Sequence, residues 1–207
     1  MAVGTYEITH DKILESGKKL FLENGYERTN LRAICKGAGI TTGAFYRHFD
    51  GKEALFSALV DPLINSIEHK FKNATNLCLD ELSNGKLAAL DYVSEEAIFE
   101  TIDFIFDNFD LFKLLIDCSD GTKYSNFVDF IVDLELDSME RVSILLRKNN
   151  IKINDVNNND LHIIYHSYYS CLFEIVLHDY SKDEAIRCAK TIFDFFMAGF
   201  HKVLGLS

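Results

Sequence analysis

Apolar side chains recur at intervals of three and four residues along almost the whole chain, which is the spacing of one face of an α-helix. The first two such stripes are Ile13, Gly17, Leu20, Phe21 and then Leu31, Ile34, Cys35, Ala38. One proline and eleven glycines in 207 residues are too few turn residues for an all-β sandwich or barrel. The sequence therefore predicts an all-α protein.

Short breaks divide the first sixty residues into small helices. Asn24–Gly25 is expected to end the first helix, and Thr29 is placed to cap the second. The glycines at 37 and 39 are expected to end the second helix, and Thr41 to cap the third. A fourth helix begins near Lys52 and leads into the rest of the chain. Pro62 is expected to kink or restart it.

The remaining apolar spacing predicts further helices, with an Asn- and Asp-rich loop over 149–160. Ser181 and Glu184 have the spacing of a capping box at the start of the last one. We place these helices at about 91–108, 110–119, 123–149, 161–179 and 182–204. The predicted architecture is a three-helix N-terminal domain over 1–56, joined by the long fourth helix to a C-terminal helical domain over 57–207.

The charge is distributed unevenly between these two parts. The whole chain carries a formal charge of −11, which would by itself disfavour contact with nucleic acid. Residues 1–60, however, hold eight Lys and Arg against seven Asp and Glu, whereas residues 61–207 hold thirteen against twenty-five. Such asymmetry indicates that the two parts meet different partners.

The three short N-terminal helices have the pattern of a helix-turn-helix that reads duplex DNA. A helix fits the major groove, and the side chains of its first turn reach the base edges. In this sequence the corresponding residues are Thr41, Thr42, Gly43 and Ala44. Thr42 can exchange hydrogen bonds with bases, and Ala44 offers a methyl group to a thymine methyl.

Several polar residues around this turn have donors suited to phosphate oxygens. They are Thr29, Tyr46, Arg47, His48 and Lys52. Thr29 adds a hydroxyl near a helix N-terminus, which favours anions. Helix spacing alone leaves open a small helical subdomain in which Tyr46 and His48 merely cover a core.

The stretch over 13–56 resembles the DNA-binding domain of the tetracycline-repressor (TetR) family. The matching positions are Thr29, Ile34, Ala38-Gly39-Ile40-Thr41, Gly43, Tyr46, His48-Phe49 and Lys52. The resemblance implies that Thr29, Tyr46, His48 and Lys52 grip the DNA backbone, and that Thr42 and Ala44 read bases. It further implies a homodimer that binds a near-palindromic DNA operator as a repressor and is released by a small-molecule effector.

The last two predicted helices are apolar over most of their circumference, which indicates burial against a second surface as well as their own domain. Two such helices from each of two subunits form an intersubunit four-helix bundle. The alternative is that both helices are central in one core. The residues predicted at the dimer interface are Tyr165, Tyr168, Leu172, Ile192, Phe196 and Phe200.

An effector pocket is predicted among phenylalanines of the C-terminal domain, although aromatic residues at helical spacing are more often plain core. The candidates are Phe99, Phe106, Phe109, Phe112, Phe127 and Phe130. The acid excess favours either a cationic lipophilic ligand or, more simply, a solvated acidic surface. The spacing of Asp103, Asp107, Asp110 and Asp117 is that of an exposed face.

Catalytic and metal-binding signatures are missing from the sequence. His162 and His166 are one helical turn apart, but no H-E-x-x-H motif or neighbouring cysteine accompanies them. The five cysteines are scattered and suit a reducing cytoplasm. We therefore expect no enzyme, cofactor, metal or membrane span. The rival to a regulator is a helical protein-interaction or scaffold protein without operator binding.

Overall fold

The computed structural model describes residues 3–85 and 95–205. Within those ranges all regular elements are helices, so the predicted all-α fold is confirmed. The helices are α1 (Val3–Arg28), α2 (Leu31–Gly37), α3 (Thr42–Phe45), α4 (Lys52–Ser83), α5 (Glu95–Asp107), α6 (Phe109–Asp117), α7 (Phe127–Lys148), α8 (Asn158–Leu177) and α9 (Lys182–Leu204). Across the same ranges, every helix is either too short or too polar to span a bilayer.

The helices of the C-terminal part lie within four residues of their predicted bounds. The start of the helix predicted over 91–108 falls partly outside the described residues, which resume at Glu95. The capping box at the start of α9 is confirmed: Glu184 N–H donates to Ser181 Oγ at 3.4 Å, and Ser181 N–H donates to Glu184 Oε2 at 3.0 Å. Two backbone donors at the helix start are thereby satisfied.

One local prediction in the N-terminal part was wrong, and of the kink or restart expected at Pro62 the restart is excluded. Asn30, not Thr29, caps α2, because its side chain accepts from Ala33 N–H at 2.9 Å. The fourth helix does not restart at Pro62 but runs through it as one element of 32 residues. Proline removes one backbone hydrogen bond. The fully buried Val60 and the nearly buried Leu63 anchor the helix on both sides of that defect.

The chain forms two compact units. The first contains residues up to Asn65 together with Asn108–Asn126. Its interior is built on aromatic side chains without solvent exposure, among them Phe21 and Phe56, whose rings meet edge to face at 5.2 Å. Such contacts add to the free energy gained from burial of apolar area. These rings hold α1 against the first turns of α4.

The break predicted at Asn24–Gly25 occurs as an interruption inside α1. Gly25 has φ 75° and ψ 164°, after which a further helical turn continues to Arg28. The amide of Tyr26 leaves the helical ladder and donates instead to Cys118 O at 2.9 Å. In the same unit, Tyr124 donates to Asp61 Oδ1 at 2.5 Å. The segment Asn108–Asn126 is thereby tied to α1 and to α4.

The second unit contains Ser66–Asp107 and residues from Phe127 onward. Helix α7 packs on α8, and α9 packs on both α5 and α8. Its interior includes the fully buried side chains of Ile102, Leu146 and Ile175. At the surface, Lys182 pairs with Asp103 at 2.8 Å and links α9 to α5.

Candidate nucleic-acid interface

A short turn sets the direction of α3. Gly39 has φ 68°, a left-handed conformation that favours glycine, and Ile40 N–H donates to Cys35 O at 2.9 Å. Thr41 then caps α3 as predicted, because its Oγ1 accepts from Ala44 N–H at 3.2 Å. The turn therefore fixes where the first side chains of α3 project.

The α3 segment, which comprises residues 41–49, has one buried and one exposed side. Phe45 is fully buried and Phe49 nearly so, and both anchor the segment in the first unit. Thr42, Gly43 and Tyr46 face solvent, with Tyr46 56% exposed. Thr41 and Arg47 are exposed too, whereas Ala44 and His48 are half-buried. Seven of the predicted DNA-binding residues thus lie on one short segment.

Two aromatic residues from the first turns of α1 pack against this segment and were not singled out from the sequence. The Tyr6 ring stacks on His48 with centroids 4.1 Å apart, and its hydroxyl donates to Arg47 O at 3.4 Å. His10 stacks on Phe49 at 4.7 Å. The signal available in the sequence was the four-residue spacing of Tyr6 and His10, which places them on one face of α1.

The surroundings of His48 favour its neutral imidazole form. Burial first, then the neighbouring His10 and Arg47, lower the pKa of His48. Its Nδ1 is buried and has no hydrogen-bond partner among the described residues, so a proton there would create an unsatisfied donor. The neutral ring suits stacking on Tyr6 and leaves Nε2 as the nitrogen able to donate a hydrogen bond.

Lys52 and Thr29 donate hydrogen bonds to backbone carbonyls of their own chain. Lys52 Nζ donates to Tyr26 O at 2.6 Å and to Thr29 O at 2.9 Å, and it lies 4.0 Å from the centroid of the Tyr26 ring. Burial lowers the pKa of Lys52. Thr29 is buried, with its hydroxyl within 3.0 Å of Leu20 O and Gly25 O. Both residues therefore stabilise the end of α1 in this structure.

The predicted effector-pocket residues divide between the two units. Phe109 and Phe112 belong to the first unit, and the other four to the second. Phe112 and Phe127 are buried, whereas Phe99 is largely exposed. Within the second unit, Phe127 and Phe130 stack with centroids 6.2 Å apart.

Four of the six residues predicted at a dimer interface contact one another across α8 and α9 of the same chain. The Tyr165 and Phe200 rings are tilted with centroids 4.9 Å apart, and Tyr168 meets Phe196 edge to face at 5.4 Å. Leu172 is buried, and Ile192 half-buried. Large apolar side chains remain exposed on the same two helices: Phe195 at 75% and Ile163 at 64%.

Comparison with known proteins assigns the N-terminal part. Residues 13–59 match the family model described as bacterial regulatory proteins, tetR family. The HTH-type transcriptional regulator UidR of Escherichia coli is 40% identical over 52 residues, which cover 25% of this chain and 26% of UidR. The transposon Tn10 TetC protein of Escherichia coli is 33% identical over 104 residues, which cover 50% of this chain and 47% of TetC. The chain thus spans about a quarter to a half of the curated relatives it matches.

Solved structures extend the likeness to the whole fold. The SmeT–triclosan complex superposes with a TM-score of 0.58 at 18% identity, and the match covers 92% of this chain and 90% of that one. SmeT is described as the repressor of the Stenotrophomonas maltophilia multidrug efflux pump SmeDEF. At this level of identity the match establishes the fold.

Proposed function

We infer that this chain, whose residues 13–59 belong to the tetR family of bacterial regulatory proteins, is a DNA-binding transcriptional regulator rather than an enzyme. The observation that carries the inference is the two-sided α3 segment, in which Phe45 is buried while Thr42, Gly43 and Tyr46 face solvent. Its regulatory mode, in this proposal, is repression relieved by a small-molecule effector.

Contact with the operator begins at the first turn of α3. In the major groove, the hydroxyl of Thr42 is suited to exchange hydrogen bonds with a base edge, and the methyl of Ala44 to pack on thymine. A Cβ atom at Gly43 would meet no neighbour closer than 4.0 Å, so the fold itself does not require glycine there, and its lack of a side chain would let DNA approach the backbone. These contacts supply sequence preference.

Contacts of Tyr46, Arg47 and His48 with the DNA backbone position α3 in the groove. Their donors are suited to phosphate oxygens, which fix the register of α3 without reading sequence. Lys52 and Thr29 support this surface by a different route, because their hydrogen bonds to the end of α1 hold that end against the start of α4. We assign both residues a positioning role in the free protein.

In a homodimer, the complete DNA-binding surface consists of two copies of α3. Two copies of α3 would occupy successive major grooves about 34–36 Å apart on a near-palindromic operator. The exposed Phe195 and Ile163 extend the predicted interface along α9 and α8. Their contact with a symmetric copy would remove two large apolar side chains from water.

Effector control requires a change in the first unit when a ligand binds the second. Two elements join the units along the chain: α4 and the segment Asn108–Asn126, which is tied to α1 through Tyr26 and Cys118. Coupling of about 1–3 kcal/mol is typical of such systems. That range changes operator occupancy several-fold.

The test is a fluorescence-anisotropy titration of the full-length chain with duplexes that tile the DNA around its own gene. We expect one duplex to bind preferentially, with an affinity that falls steeply between about 50 and about 200 mM salt. Tyr46→Ala should weaken that binding and leave the oligomeric state unchanged. Lys152→Ala, at an exposed position of the second unit, is the control and should behave as wild type.

The scaffold alternative makes the opposite prediction. A helical interaction protein would show no preference among the duplexes, and Tyr46→Ala would then change neither DNA binding nor partner binding. The tetR-family match over 13–59 favours the regulator.

A further inference from the structure

An acidic residue interrupts the buried face of α7. Phe127, Ile131, Val142 and Leu146 are buried on this helix, and Glu135 lies four residues after Ile131, where the same face continues. Apolar spacing would place a hydrophobic side chain at this position. A carboxylate there has to find polar partners inside the second unit.

Glu135 is half-buried, and its partners replace only in part the water that it loses. Tyr169 of α8 donates its hydroxyl hydrogen to Glu135 Oε1. Burial raises the pKa of the Glu135 carboxyl, and the hydrogen bond from Tyr169 lowers it by less. Among the described residues, no Lys, Arg or His side chain forms an ion pair with Glu135. An ionised carboxylate in this setting lacks a compensating positive charge.

Three tyrosines of α8 interact with this carboxylate, and Tyr169 is the one that donates a hydrogen bond to it among the described residues. Burial, followed by the charge on Glu135, raises the pKa of Tyr168 to about 12 and raises the pKa of Tyr165 and of Tyr169 as well. Their hydroxyls therefore remain protonated at physiological pH. None of them supplies the missing cation.

Aromatic rings continue from this point through the second unit. The Tyr169 ring lies 5.0 Å from Tyr168, 6.1 Å from Phe173 and 6.5 Å from Phe71, measured between centroids. Phe173 in turn lies 5.6 Å from Phe127, one of the residues predicted for an effector pocket. Faces of aromatic rings attract organic cations, and more strongly where water is excluded.

We propose that Glu135 and the rings around Tyr169 form a binding site for an organic cation with an aromatic or aliphatic body. As an effector site, it rests on the regulator function proposed above. Ligand binding would supply the positive charge that Glu135 lacks, and the apolar body would pack on the tyrosine and phenylalanine rings. A neutral ligand of the same shape would leave the carboxylate uncompensated, and an anion would be repelled.

The test compares ligands that share one shape and differ in charge. Benzyltrimethylammonium and neopentylbenzene differ only in nitrogen against carbon, and benzenesulfonate is the anionic probe. Binding to the full-length chain, without DNA, is measured by calorimetry and by the shift in melting temperature. We expect the cation to bind at least about tenfold more tightly than either other probe, the preference expected from one buried charge pair.

Two variants on α7 locate the effect. Glu135→Gln keeps the size and a hydrogen-bonding oxygen but removes the charge, and it should reduce cation affinity by about tenfold or more while leaving the neutral probe unchanged. Glu140→Gln makes the same change at an exposed position and should bind the cation like wild type. Equal binding of cation and neutral isostere by the wild type overturns the proposal even if a variant fails to fold.

Cation binding that survives Glu135→Gln also overturns the proposal. The outcome is independent of the regulator function, because operator binding is measured on the same samples without ligand. A chain that binds its operator but does not discriminate among the three probes refutes the cation site alone. A chain that prefers the cation but binds no operator refutes the regulator alone.

Discussion

The two compact units each hold a half-buried charge, with different sets of partners. In the first, Lys52 donates to two backbone carbonyls within 2.9 Å and lies over the Tyr26 ring. In the second, Glu135 accepts from Tyr169 and lacks a cationic partner among the described residues. Burial lowers the pKa of Lys52, so neither charge is fully compensated, but Lys52 has two carbonyl acceptors and a ring face where Glu135 has one neutral donor. The charge with more partners stabilises the fold around it, and the one with fewer partners favours a further partner.

The largest effect should come from removing the charge of Lys52, which has more partners. Lys52→Met keeps the apolar stem and removes the ammonium. The Thr29 carbonyl then loses its donor, and the Tyr26 carbonyl keeps the Thr29 amide as its donor at 3.2 Å. We expect the free energy of unfolding to fall by about 2–3 kcal/mol, measured by urea titration with circular dichroism. Lys36→Met, at an exposed position of α2, should change it by less than about 0.5 kcal/mol. If the two variants lower the free energy of unfolding equally, the hydrogen bonds of Lys52 do not stabilise the first unit, and the contrast with Glu135 is lost.

The DNA-binding surface should contain two classes of residue: those that contact bases and determine sequence preference, and those that contact phosphates and position α3. Thr42→Ala is expected to reduce the discrimination between the operator and an unrelated duplex by about 1 kcal/mol. Arg47→Ala should weaken both complexes equally and lower the salt slope by about 1. Competition titrations at several salt concentrations measure both quantities. If Thr42→Ala weakens every duplex alike, its base-reading role is wrong.

Local chemistry was predictable from the sequence, and long-range partners were not. Thr41 as a cap and Phe45 as an anchor follow from spacing within a few residues. Lys52 was expected at phosphate because its ammonium suits any acceptor, and only the fold brings the carbonyls of Tyr26 and Thr29 to it from more than twenty residues away. Glu135 was overlooked because a single acid within an apolar stripe resembles a helix surface.

Charge removal in the second unit should have the opposite sign. Because the pKa of Glu135 is raised in the folded state, stability is full below the ordinary pKa of glutamate and is lost as the pH rises toward the raised value. Glu135→Gln should therefore raise the melting temperature at pH 7 by about 2–4 °C, the change expected for about 1 kcal/mol.

The pH dependence tests the cause of that gain. At about pH 4, where the wild-type carboxyl is protonated, Glu135→Gln should melt within about 1 °C of wild type. Glu140→Gln, exposed on the same helix, should show no such gain at either pH. If Glu135→Gln lowers the melting temperature at pH 7, the claim that the Glu135 carboxylate lacks a compensating charge is wrong, and the difference between the two units no longer holds.

The smallest effect concerns the aromatic support of α3. Tyr6→Ala removes the ring that stacks on His48 and should weaken operator binding by about 0.5–1 kcal/mol. In a His48→Ala background, the same change should have little further effect, because the two rings act together. A double-mutant cycle by anisotropy measures this coupling. Additive losses would show that Tyr6 acts independently of His48.

The amide of Tyr26 offers a single-site reporter. Because Gly25 interrupts α1, this N–H is hydrogen-bonded to Cys118 O rather than to its own helix. Its hydrogen-exchange rate should therefore follow the detachment of Asn108–Asn126 and not the fraying of α1. The exchange rate of that one amide, measured with and without an effector, would report how often the segment detaches. The other amides of α1 would serve as the internal reference.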